Sequence, residues 1–163
     1  EEQSYDSYIK ESGCTSSVIT VRDSDADGNA HVNKNGDNYI AYVFANVTGF
    51  SKFGYYVGNG NTDGPYINLG FKPAYFLYRN IDRSDSWIQS DIVTKPATDE
   101  SIKELYPNNQ NPQNTNTNRK MAWTANGVKI IGSESSINND GDVFVYAAFA
   151  ESPYKYSTAF IVD

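Results

Sequence analysis

The chain has 163 residues, enough for one ordinary domain with a core of its own. Its formal charge is −7 and its 13 Lys and Arg are scattered, which argues against a nucleic-acid partner because phosphate binding needs clustered cations. No apolar run approaches the roughly 20 residues of a membrane-crossing helix, so membrane insertion is not expected.

The 13 Tyr and 8 Phe stand against a single Met and a single Cys. Aromatic and β-branched residues favour strands, and the abundant Asn, Gly and Asp favour the turns between them. The expected fold is therefore all-β: an antiparallel, jelly-roll-like β-sandwich with at most one short helix.

In chain order, residues 1–16 are polar around isolated Tyr5, Tyr8 and Ile9 and read as an arm or linker. The start Glu1-Glu2-Gln3 has neither an initiator Met nor a signal-like stretch, so a processed chain or a segment of a longer protein is expected. Cys14 has no second cysteine to pair with and reads as an inert small residue. Residues 18–21 read as a short β-branched strand, followed by a polar turn and a strand over 39–45. Further strands are expected at Tyr55-Tyr56-Val57, 65–69, 74–78 and Trp87-Ile88, with glycine-rich turns at 58–64. Thr98 or Asp99 can cap a two-turn helix on which Ile102 and Leu105 share a face, ended by Pro107. The Asn-rich run 107–120 reads as a long surface loop in preference to an inter-domain linker. Residues 128–131 and 143–149 then repeat the strand–turn–strand unit of 18–45.

That repeat is close. Gly36-Asp37-Asn38-Tyr39-Ile40-Ala41-Tyr42-Val43-Phe44-Ala45 returns as Gly141-Asp142-Val143-Phe144-Val145-Tyr146-Ala147-Ala148-Phe149-Ala150. Both copies are apolar on nearly every residue, as in a strand covered on both faces.

The run 39–54, then 58–65 and Gly70-Phe71-Lys72-Pro73-Ala74, joined by 87–91, 126–130 and 143–155, resembles a known family. It is similar to a repeat module found, often in tandem, in tail-fibre and related virion proteins of marine bacteriophages, cyanophages in particular. The resemblance covers roughly residues 32–155. It implies a structural and adhesive virion protein, extracellular, that assembles with copies of itself or other virion proteins, a homotrimer by analogy with fibres. In such arrays one module's closing strand runs into the next. Residues 17–45 would then close a preceding module, 46–155 would be one complete copy, and 156–163 a C-terminal strand or linker.

Candidate sites are few. Trp87, Tyr55 and Tyr56 could offer flat faces to sugar rings, with Asn111, Asn114 and Asn116 supplying hydrogen bonds to hydroxyls, which makes a carbohydrate-binding receptor tip the alternative function. Asp23, Asp25 and Asp27 with Gly28 match the opening of a calcium loop. Lys34 stands where an EF-hand needs its bidentate Glu, so a solvated acidic turn is preferred and Ca2+ in another kind of loop is the alternative. No other cofactor is expected. His31, the lone histidine, reads as a turn residue, and no nucleophile motif accompanies it. Asp99, Glu100 and Glu104 could be paired carboxylates of a glycan-cleaving enzyme, but acidic residues favour a helix's first turn, and an enzyme is not expected.

Overall fold

The structure, a computed structural model, describes residues 13–21, 36–94 and 101–152. The chain divides into two compact units, Glu1–Val43 and Phe44–Asp163. In the first, residues 13–20 form a turn in which Thr15 N–H donates to Val18 O (2.9 Å) and Thr20 Oγ1 to Gly13 O (2.6 Å). The strand expected over 18–21 is reduced to a single bridge at Val21.

Among its described residues the second unit carries eight strands: β1 (Ser51–Val57), β2 (Tyr66–Asn68), β3 (Pro73–Asn80), β4 (Ile88–Asp91), β5 (Ser101–Glu104), β6 (Asn114–Thr124), β7 (Gly127–Ile130) and β8 (Val143–Ala150). One four-residue helix, α1 (Ser135–Asn138), lies between β7 and β8. The strands form two sheets, β1-β8-β3-β4 and β2-β7-β6-β5. Every pairing within them is antiparallel. The all-β sandwich expected from composition is the fold observed.

Period-two burial builds the core. β8 turns Phe144, Tyr146 and Ala148 inward, beside Phe76 and Tyr78 of β3 and Tyr56 of β1. Ile67, Ile102, Met121, Val128 and Ile130 of the second sheet complete the same cluster. Tyr56 and Phe144 stack with ring centroids 4.8 Å apart.

Several expectations are corrected. Residues 37–46 form no strand, so of the two repeated segments only 143–150 does. Nor is 128–149 a hairpin: β7 and β8 lie in different sheets, because α1 and its flanking loops carry the chain across. The helix expected near 98–105 is instead β5, in which Ile102 and Glu104 are both fully buried at a spacing of two. The 107–120 loop is shorter than expected, since β6 begins at Asn114 and its alternating Asn and Thr pair with β5. Residues 95–100, including Thr98, Asp99 and Glu100, lie outside those described, as do 1–12, 22–35 and 153–163.

The glycines at 58–64 have a packing reason. A Cβ on Gly58 would sit 2.1 Å from Asn139 O, and one on Gly64 2.8 Å from Ile130 O. The backbone comes this close because fully buried Asn138 pins the turn: its Oδ1 accepts from Asn59 N–H (2.9 Å) and its Nδ2 donates to Asn61 O (2.7 Å) and Gly132 O (3.0 Å). Gly58→Ala should therefore cost about 1–3 kcal/mol, read as a lower chemical-denaturation midpoint with an unchanged slope.

Candidate functional site

Because side chains alternate along a strand, the residues of β8 between its core positions point away from the core. These are Val145, Ala147 and Phe149. The register places Tyr55, Phe53 and Ser51 of β1 opposite them on one side, and Arg79, Leu77 and Tyr75 of β3 on the other.

The outer face of this sheet is thus aromatic. Phe149 stands at its centre, with ring centroids of Phe53 at 5.7 Å, Tyr75 at 5.8 Å, Phe50 at 6.0 Å and Phe44 at 6.2 Å, all edge-on. Phe44 also stacks on Phe53 at 5.5 Å. With Leu77, Trp87, Val145 and Ala147, the rings of Phe149, Phe53, Tyr75 and Phe44 line an open cavity of about 630 Å³. Its polar edge is scant: the Tyr75 hydroxyl donates to Gln89 Oε1 (3.2 Å). Such a lining takes up apolar groups and gives sugar hydroxyls few partners.

The residues singled out in the sequence fare differently. Trp87 lines the cavity, and its backbone N–H donates to Asn108 Oδ1 (3.0 Å) in the loop before β6. Tyr55 lies on the same sheet face, 70% exposed. Tyr56 points the other way: it is buried, with its hydroxyl donating to Ile137 O (2.9 Å), and burial pushes its pKa well up. It is a core residue, not a surface platform. Asn111 is exposed in the loop and Asn114 opens β6. Asn116 is occupied: its Oδ1 accepts from Asn118 N–H (2.9 Å) and Arg119 N–H (3.1 Å). Asp23, Asp25, Asp27 and His31 lie outside the described residues, so the calcium alternative has no geometry here. Phe53, Phe149 and Leu77 were not singled out, although Phe149 and Phe44 are the matching aromatics of the repeat.

A second feature lies inside. Between Ser101 and Ile102 of β5 the pairing on β6 jumps from Lys120 to Asn116, leaving 117–119 as a bulge. From it Arg119 donates through Nη1 to Glu104 Oε2 (2.6 Å) and through Nε to Glu134 Oε2 (2.8 Å) and Ser136 Oγ. The Tyr106 hydroxyl donates to the same Glu104 oxygen (2.5 Å). Glu104 is fully buried, so the carboxylate offered by the sequence as a catalytic partner is held in a core ion pair. Burial works against the charge on Arg119, but its bonds to Glu104 and Glu134 outweigh that and raise its pKa. Burial likewise raises Glu134, but hydrogen bonds from Ser136 and Arg119 prevail and hold it below its ordinary value.

The outer face and the buried pair both belong to a sequence that has been grouped before: residues 1–153 match a domain of unknown function, DUF7483. The chain belongs to the DUF7483 family. No curated protein and no solved structure matches it. The DUF7483 match runs through both compact units.

Two outcomes are expected for the buried pair. Arg119→Leu leaves Glu104 buried without its cation and should cost about 3–5 kcal/mol, whereas the double change with Glu104→Leu should recover most of it, as chemical denaturation of both variants will show. The depressed pKa of Glu134 means its contribution is present above the unfolded value of 4.5 and lost as pH falls through the lower folded value. The melting temperature should therefore drop in that acid range, and Glu134→Gln should flatten the part of the drop that Glu134 causes.

Proposed function

We propose that the chain is a structural and adhesive module of a virion surface protein of tail-fibre type, extracellular, which assembles with further copies or with other virion proteins. The observation that carries the assembly part is the aromatic outer face of β1-β8-β3. Phe44, Phe50, Tyr55 and Val57 each leave more than a third of their surface in water there, around a cavity whose lining is apolar. A contiguous apolar patch of this kind marks a protein contact more often than a free surface. The virion part is supported by the resemblance of 39–54, 58–65 and 143–155 to phage fibre modules, with 46–155 as the repeating unit and a trimer as the first arrangement to look for.

Recognition of a host glycan is the second reading. It is favoured by Trp87 in the cavity beside the 106–113 loop, where Asn108 already touches its backbone. Against it stands the shortage of polar groups along the cavity wall.

One pair of variants separates the two. Leu77→Glu places a charge in the middle of the aromatic face without touching the core, and should weaken self-association in sedimentation velocity by at least tenfold. Trp87→Ala should leave association within a few fold and abolish binding on a glycan array if the second reading holds. Immunogold labelling of particles that encode the chain tests the virion assignment: label along fibres or on the capsid supports it, and particles free of the chain overturn it.

A further inference from the structure

Among the described residues β1 is an edge strand, and its hydrogen bonds have a definite phase. Gly58 N–H donates to Asp142 O (2.9 Å) and Ala150 N–H to Phe50 O (2.8 Å). Antiparallel ladders alternate, so even-numbered residues of β1 bond to β8 while Ser51, Phe53, Tyr55 and Val57 direct their main-chain groups to the opposite edge. There Ser51 exchanges both bonds with Val47 (3.0 Å each), and Phe53 N–H is taken by Asn46 Oδ1 (2.7 Å). Among the described residues nothing bonds the outward groups of Tyr55 and Val57. The stretch 53–57 carries neither proline nor charge, the usual guards of an edge.

The same chain carries a segment suited to that edge. Residues 40–45 align with 145–150 of β8, apolar throughout and identical at Phe44/Phe149 and Ala45/Ala150, and β8 already lies antiparallel on the other side of β1. They lie outside any strand: Ile40 and Tyr42 are each 82% and Val43 68% exposed, while Phe44 stacks on Phe53 and Ala45 O accepts from Ser51 Oγ (2.8 Å), so that 44–45 stay with their own β1 and 40–43 extend from it. In β8 the positions matching Ile40, Tyr42 and Phe44 form the outer aromatic face, and those matching Ala41 and Val43 point to the core side. A strand of this pattern beside β1 would continue both.

We infer that β1 takes residues 40–43 of a second copy as a short antiparallel fifth strand of its sheet, an inference that rests on the assembly reading above. Main-chain bonds to Tyr55 and Val57 supply the pairing, and Ile40 and Tyr42 extend the aromatic face.

Two full-length variants test it. Tyr42→Pro breaks the segment as a strand. Tyr55→Pro removes only an outward N–H and blocks the edge with its ring, leaving the bonds to β8 in place; Tyr55→Lys does the same by charge should the proline perturb folding. In sedimentation velocity the wild-type chain should associate as its concentration rises, and Tyr42→Pro and each Tyr55 variant should stay monomeric. An equimolar mixture of Tyr42→Pro with Tyr55→Lys should form one-to-one pairs, since one supplies an intact edge and the other an intact segment. A mixture that stays monomeric overturns the inference, as does a Tyr55 variant that only lowers the melting temperature of a monomeric wild type, which would place the segment on its own chain's edge. If Leu77→Glu abolishes association while the Tyr42 and Tyr55 variants leave it unchanged, the strand exchange is wrong and the assembly reading stands.

Discussion

The structure depends on one strand that is apolar on both faces. β8 lies between β1 and β3, buries Phe144, Tyr146 and Ala148 in the core, and turns Val145, Ala147 and Phe149 outward. The inner face is covered by the second sheet. The outer face is only partly covered, by rings that lean on Phe149 from β1, β3 and the turn before β1. Full burial of such a side chain is worth about 1.5–3 kcal/mol, so a face holding several half-covered aromatics retains a substantial drive toward a partner. Antiparallel sheets with one face in water commonly carry polar residues at those alternate positions.

The polar interior follows the opposite rule. Glu104 and Arg119 are withdrawn from water, which is costly unless each finds partners. The bulge in β6 makes the arrangement possible by turning Arg119 to Glu104 on one side and to Glu134 and Ser136, at the start of α1, on the other. The ion pair thus joins β5, β6 and the only helix among the described residues. Its value is in fixing where α1 sits, and α1 in turn holds the 58–64 turn through Asn138.

Much of the sandwich was legible because its strands announce themselves locally. Tyr55-Tyr56-Val57, 74–78 and 143–149 are dense in aromatic and β-branched residues, and each became a strand. The errors arose where tertiary contacts decide. Ile102 and Leu105 have a helical spacing, but a buried ion pair fixes Glu104 and with it the strand β5. The Asn-Thr alternation at 114–118 reads as loop by composition and is strand because β5 offers it an edge. Residues 39–45 have a strong strand signal and no strand: the signal speaks for pairing, and pairing needs a partner that a single sequence does not name. Of the candidate site, Tyr55 lies exposed on the outer face and Trp87, half-buried, lines its cavity. Tyr56 was misplaced because adjacent residues of a strand face opposite sides, and the sequence alone did not say which side was the core.

If the sheet β1-β8-β3-β4 is covered and continued by another chain, as proposed, the amides of β1 will report it. Hydrogen exchange at the individual amides of β1 tests it most directly, because alternate residues report on opposite edges. Gly54 and Tyr56 donate toward β8 and should be protected in dilute and concentrated protein alike. Tyr55 and Val57 should exchange quickly in dilute protein and become protected as concentration rises. Fast exchange at Tyr55 and Val57 at every concentration at which the protein associates would mean that β1 stays an open edge in the assembly.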